Sequence, residues 1–234
     1  MQTSIVAIEE KQSSGESSND IANHIAEAIA ARKLPPGTKL REEALSRLYS
    51  VSRTKIRAAL LILSKDKLIQ MVPDKGAFVS QPSEKESRDI FAARRILEAA
   101  LAREFVARAK PADYKVLERH LKMEREALGD HKVRSQLLGD FHVLLADVVG
   151  NQVLHEMLSE LVARSSLITM LYQSDRDAVC SSNEHEEFLV AAKSGDADLA
   201  AQLMLEHLLH VEGALRFDSS GAAPDKDLVA ALLK

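Results

Sequence analysis

Apolar side chains recur at helical spacing from the first ordered-looking stretch of the chain. Ile21, Ile25, Ala28 and Ile29 follow Asn19 and Asp20, either of which can cap a helix. Lys33-Leu34-Pro35-Pro36-Gly37 ends that helix. A second short helix is expected from near Arg41, carrying Ala44, Leu45 and Leu48. Ser52 is placed to cap a third, with Ile56, Ala59, Leu60 and Leu63 on its buried face. The period then changes. Lys67 to Val72 is short and β-rich, Pro73-Asp74-Lys75-Gly76 is turn chemistry, and Ala77-Phe78-Val79-Ser80 can return as a strand.

Three short helices followed by a β-hairpin is the layout of a winged helix-turn-helix. Gln81-Pro82-Ser83 closes this unit and reads as a linker. Beyond it the pattern is all-helical, with helices expected at 84–109, 111–128, 132–149, 151–173, 182–194 and 196–216. The breaks fall at Pro111, Gly129-Asp130, Gly150-Asn151, the polar 174–183 stretch and Gly195-Asp196. Short connections between six helices suggest an antiparallel bundle. The expected fold is therefore mainly α, with a small winged unit ahead of a bundle. Its parts are a flexible arm (1–18), the winged unit (19–81), a linker (82–88), the bundle (89–217) and a tail (218–234) that could hold a short docking helix at Leu228 to Leu233.

Composition narrows the class. The chain has 234 residues, no Trp, 4% aromatic residues and a single Cys. One thiol excludes a disulfide framework and any CxxC metal site, and it fits a reducing compartment. No apolar run reaches a membrane span, and the start lacks a secretory layout. The formal net charge of −4 argues against nucleic acid until it is divided by region. Residues 20–82 carry eleven Lys or Arg against six Asp or Glu, a net of +5, whereas 83–234 carry 19 against 26, a net of −7. A basic module on an acidic body concentrates an attractive field for phosphates on one part only.

Ser52-Arg53-Thr54-Lys55-Ile56-Arg57 opens the third helix with three cations and two hydroxyls. The second helix of a helix-turn-helix enters the major groove by its N-terminal residues, where Arg can bond guanine bidentately and hydroxyls suit phosphates. A solvated basic face is the plain alternative. The stretch Leu34-x-Pro36-Gly37-x-x-Leu40, then Leu45, Val51-Ser52-Arg53-Thr54-x-Ile56-Arg57-x-Ala59-Leu60, Leu63, Leu68-Ile69 and Gly76-x-Phe78-Val79 resembles the GntR-type winged-helix domain. That resemblance implies a dimer reading operator DNA. It makes Arg53, Arg57 and the wing Gly76 contact candidates, joined by Arg41, Ser52, Thr54, Lys55 and Lys75.

The body holds Asp140-Phe141-His142, Glu184-His185-Glu186-Glu187 and Glu206-His207. Each His alone would most often be a hydrogen-bonded core residue, but facing helices of a bundle also build metal sites from such side chains. Glu184, Glu186 and Glu187 read as a solvated helix face. Arg94-x-x-Leu97-Glu98, Phe141-His142-x-x-Leu145, Gly150-Asn151, His185-x-x-x-Leu189, Gly195-Asp196 and His207-Leu208 resemble the FCD-type ligand-binding domain of the FadR branch of that superfamily. The resemblance implies a divalent metal, zinc first with nickel or manganese as alternatives, on His142, His185 and His207. The aspartate that family places one turn before its first histidine is Leu138 here, while Asp140 lies on roughly the opposite face. Arg94 corresponds to a position that meets anionic effectors, and Arg164, Ser165, Ser166 and Asn151 are further lining candidates. Cys180 reads as a plain thiol.

The expected function is a ligand-responsive transcription regulator, repressive in sign, homodimeric, and controlled by a small carboxylate bound near the metal. A metal-dependent enzyme using the three histidines is the competing class, against which stand the lack of a placed general base, nucleophile elbow or phosphate loop. An architectural DNA binder without effector is a third.

Overall fold

A computed structural model describes residues 16–127, 130–173, 175–217 and 228–233. The N-terminal unit contains α1 (Ser18–Ala30), β1 (Lys39–Leu40), α2 (Glu42–Leu48), α3 (Arg53–Lys65), β2 (Ile69–Val72) and β3 (Gly76–Val79). The body contains α4 (Glu84–Arg108), α5 (Pro111–Glu126), α6 (His131–Val149), α7 (Gln152–Tyr172), α8 (Asp175–Ser194) and α9 (Ala197–Gly213), and α10 spans Leu228–Leu233.

Local chemistry explains most of these boundaries. Ser17 caps α1 through a reciprocal box: its hydroxyl accepts from the Asp20 amide at 3.2 Å, and the Asp20 carboxylate accepts from the Ser17 amide at 3.0 Å. The cap is therefore Ser17, neither Asn19 nor Asp20, because Asp20 serves as the third residue of the box. The expected arm falls outside the described residues up to position 15, and its last residues belong to this cap and helix. Ser52 caps α3 as expected, accepting from the Lys55 amide at 3.3 Å.

β1, too short to show as a pattern, completes a three-stranded antiparallel sheet of order β1-β3-β2. It pairs Lys39 with Phe78 and Leu40 with Ala77, while Ile69 faces Val79 and Val72 faces Gly76 across the hairpin. Gly76 has φ +97, a left-handed conformation that only glycine adopts cheaply, and it turns the wing tip. Ile21, Ile25, Ile29, Leu40, Leu45, Ile56, Leu60 and Val79 form the core of this unit. Two contributions come from far along the chain. Leu171 of α7, and Leu228 and Leu232 of α10, are buried in the same cluster, and α10 packs against α1 and α2. The distal segment is thus a docking helix; residues 218–227 and 234 lie outside the described residues.

In the body, α4 runs down the middle against α9, α6 and α7, and Phe91, Leu101, Phe105, Phe141, Phe188 and Met204 fill the space between. α6 crosses α7 closely at Gly139, where a Cβ would stand 2.5 Å from Ser166 Oγ and 3.0 Å from Val162 Cγ1. α8 starts at Asp175 rather than near 182. The 174–183 stretch is polar but contains neither Gly nor Pro, and Ser181 and Ser182 turn inward, so polarity alone was a poor loop signal. Among the described residues no helix is long and apolar enough to cross a membrane.

Candidate functional site

α6, α8 and α9 bring His142, His185 and His207 together in the interior of the body. All three are buried, with ring centroids 5.1, 5.2 and 4.6 Å apart in the pairs 142–185, 142–207 and 185–207. One nitrogen from each ring falls within 4.8 Å of the others. α8 and α9 are consecutive, joined at Gly195-Asp196, so His185 and His207 face each other as the sequence suggested. Phe141 stacks on His185 at 4.0 Å and 9° and fixes that ring.

Each histidine has a carboxylate behind it. His142 Nδ1 meets Glu98 of α4 at 2.5 Å, His207 Nδ1 meets Glu184 of α8 at 2.7 Å, and His185 Nδ1 lies 3.1 and 3.2 Å from the two oxygens of Glu124 on α5. Burial tends to raise the carboxyl of Glu98, but Arg94 and His142 outweigh it and hold the group at about 2. Burial likewise opposes ionisation of Glu184, and the hydrogen bonds from His207 and His210 lower it below its ordinary value. Ionised carboxylates only accept, so His142 and His207 donate Nδ1–H and keep their Nε2 lone pairs free. His185 Nε2 and His207 Nε2 then stand 3.3 Å apart. At that distance a single proton, shared as a hydrogen bond, or a single cation can lie between the two nitrogens. Burial lowers His142 and His185 well below the usual imidazole range, which keeps both rings neutral, the form a metal requires. Nitrogen donors backed by carboxylates are the arrangement of a ligating imidazole, so the residues present fit a divalent ion.

Arg94 joins this cluster. It is buried, its Nε donates to Glu98 Oε1 at 2.6 Å, and its Nη1 donates to Ser165 Oγ at 2.8 Å. Its Nη2 is buried without a hydrogen-bond partner. A buried guanidinium N–H left over in this way is a donor in want of an acceptor. The i+4 pair with Glu98 exists, but inside the body rather than on its surface. Ser165, buried as well, belongs to the same cluster.

Other candidates are placed elsewhere. Arg164 is partly exposed and pairs with Glu86 at 2.8 Å. It is one position from Ser165 yet about 100° around the helix, and so faces away. Asn151 caps α7, accepting from the Val153 and Leu154 amides at 3.1 and 3.2 Å, and is exposed. Neither lines the histidine cluster. Asp140 faces a cavity of about 390 Å³ between Asp66 and Leu68 of the N-terminal unit and α6 and α7, away from His142. Ser166 lines the same cavity. Of the supposed solvated face, Glu186 pairs with Arg125, but Glu184 turns inward to His207. Glu98, quoted only as part of a motif, and Glu124 and Glu184 carry roles the sequence did not announce. No shared spacing links them, since they sit on three different helices.

The second candidate surface is the start of α3 and the wing. Arg53, Thr54 and Arg57 are exposed there beside the Ser52 cap, and Lys75 and Gly76 sit at the hairpin turn. Arg41 stands at the N-cap of α2. Lys39 lies over the Phe78 ring at 5.5 Å. Two acids of α2 reach across: Glu43 lies 3.5 Å from Arg53, and both oxygens of Glu42 accept from Arg57 Nε at 3.0 and 2.8 Å.

Comparison with known proteins follows the same division. Residues 17–79 match the family described as bacterial regulatory proteins, gntR family, and residues 89–210 match the FCD domain. The HTH-type transcriptional repressor GlaR of Escherichia coli K12 is 31% identical over 194 residues, 74% of this chain and 84% of that protein. The HTH-type transcriptional repressor RspR of the same organism is 25% identical over 186 residues, 78% of this chain and 82% of that one. Among solved structures, a GntR transcriptional regulator from Rhodococcus sp. RHA1 aligns over 85% of this chain and 99% of its own, at 21% identity and a TM-score of 0.64.

Proposed function

The chain belongs to the GntR family of bacterial regulatory proteins, is a transcription regulator rather than an enzyme, and carries an FCD domain; from this we propose that it is a metal-dependent sensor of a small carboxylate that represses transcription when bound to operator DNA. The observation that carries the reading is the unpartnered Arg94 Nη2, one residue pair removed from three carboxylate-backed histidines.

His142, His185 and His207 would hold the ion, zinc first and nickel or manganese otherwise, through the nitrogens that face inward. The ion would supply positive charge and open positions for an anionic ligand. Glu98, Glu124 and Glu184 orient the three rings, and Arg94, itself oriented by Glu98 and Ser165, offers its spare N–H to the carboxylate. Leu138 leaves the fourth position without the aspartate of related chains, so water or the effector itself would complete it.

Effector binding would favour one mutual arrangement of two winged units over another and so change operator affinity. Arg53, Arg57, Lys55 and the hydroxyls of Ser52 and Thr54 are the proposed groove and phosphate contacts, with Arg41, Lys75 and Gly76 flanking. A homodimer is part of this reading. Ile96 of α4 and Val153 and Met157 of α7, on helices that pack together, leave apolar side chains in solvent that such a contact would cover. Function on operator DNA places the chain in the bacterial cytoplasm.

A thermal-shift screen of small carboxylates, run with and without added zinc, tests the proposal. A carboxylate that raises the melting temperature only with metal present supports it. Shifts that persist in Arg94→Gln, or that need no metal, overturn it.

A further inference from the structure

Arg94 has a counterpart. Arg134 of α6 is 7% exposed, and its Nε is buried without a hydrogen-bond partner. Among the described residues no carboxylate forms an ion pair with it. Its own helix offers no compensation, because it stands close to the N-terminus of α6, where the helix dipole adds positive potential. A cation buried in this way is costly unless an anion comes to meet it.

Its position points to the histidine centre. Arg134, Leu138 and His142 follow one another at steps of one turn, so they share a stripe of α6 that runs about 12 Å at the helical rise. The positive charge of Arg134 bears on Glu124 of α5, the carboxylate behind His185. Arg94, from α4, is bonded to Glu98, the carboxylate behind His142. Two buried guanidinium groups, each with an N–H left over, thus attend the carboxylates of two different histidines.

Resting on the sensor reading above, we propose that the effector is a short dicarboxylate, with one carboxylate on Arg94 Nη2 and the metal and the other on the Nε–H of Arg134. The carbon chain between them lies against Leu138. This gives the leucine a reason to stand where related chains have an aspartate: a carboxylate at 138 would repel a dianion, and an apolar side chain does not. A monocarboxylate would leave Arg134 buried and unpaired, so this residue sets the preference between the two classes.

The test begins with the full chain free of metal and effector. Arg134→Met should melt higher than wild type, because a side chain of similar length then occupies the place with no charge to bury. A lower melting temperature would mean that Arg134 serves the fold, and overturns the proposal. Calorimetric titration of the zinc-loaded protein then compares the dicarboxylates from malonate to adipate, each with the monocarboxylate of equal carbon count. The best diacid should bind wild type at least about tenfold more tightly than its counterpart, a factor that one charge-assisted hydrogen bond supplies. Arg134→Met should erase that advantage and leave monocarboxylate binding unchanged, whereas Arg94→Gln should weaken both series. Monocarboxylates that bind as tightly as diacids, or an advantage that survives Arg134→Met, overturn the dianion and leave the carboxylate sensor standing. If neither series binds, the sensor reading falls with it.

Discussion

Arg57 is clamped by Glu42, whose two carboxylate oxygens stand 3.0 and 2.8 Å from its Nε. Arg53 has a longer version of the same partnership with Glu43 at 3.5 Å. The cations proposed to read DNA are thus already engaged by acids of the preceding helix. A base edge or phosphate must displace those acids, or approach the guanidinium N–H groups they leave free.

Glu42→Gln is therefore expected to strengthen binding to non-specific duplex at low salt. The plot of log affinity against log salt should steepen by about one unit, the increment for one additional released counterion. Fluorescence anisotropy with a random-sequence duplex across a salt series measures it. An unchanged slope would mean that Arg57 never meets the backbone.

Arg53→Ala should lose specific operator binding by about 1–3 kcal/mol, the discrimination one bidentate Arg–guanine pair supplies. Its helical circular-dichroism spectrum should remain intact, because the side chain is largely in solvent and Ser52 still caps α3. A preference for operator over its scrambled form that is reduced by that amount relative to wild type is the expected pattern, and an unchanged preference would remove Arg53 from the base contacts.

Elemental analysis of protein purified without chelators should find about one divalent ion per chain, since one three-nitrogen cluster is present among the described residues. His185→Ala should contain none. Retention of the ion in that variant would place the metal elsewhere.

Burial pushes the Glu124 carboxyl up to about 7, with His120 among the groups opposing the rise. In metal-free protein the folded state then holds a proton that the unfolded chain, titrating near 4.5, releases. Folding stability should therefore fall as pH rises from about 4.5 to 7, by up to about 3 kcal/mol. Urea denaturation over that range should show the decline, and Glu124→Gln should flatten it. Glu98 acts in the opposite sense and lower down: held at about 2, its contribution is complete above 4.5 and lost as the pH falls toward 2.

Wherever one residue's chemistry determines local backbone, the chain was legible in advance. Ser52 capping α3, the 73–76 turn between β2 and β3, and the Gly195-Asp196 joint that sets His185 against His207 could all be read from spacing. Features that depend on distant partners could not. β1 is two residues whose only signal is pairing with Phe78 and Ala77. The carboxylates behind the histidines come from α4, α5 and α8, each at its own register, so neither sequence distance nor composition groups them. Arg164 and Asn151 show the reverse error, in which a neighbour in sequence was taken for a neighbour in space. Arg164 turns to Glu86 while Ser165 turns to Arg94, although the two are adjacent on α7.

α10 has a consequence for the order in which the molecule is made. Leu228 and Leu232 fill part of the hydrophobic cluster built around Ile21, Ile25, Leu45 and Ile56. Domains ordinarily fold as they leave the ribosome, the earliest first. Here the first-synthesised unit has all its own strands and helices once Val79 has emerged, but its apolar surface against α1 and α2 stays open until residue 232 has been translated. During that interval the nascent chain exposes a sticky patch on its DNA-reading half, and the finished regulator is assembled only when α10 meets α1 and α2.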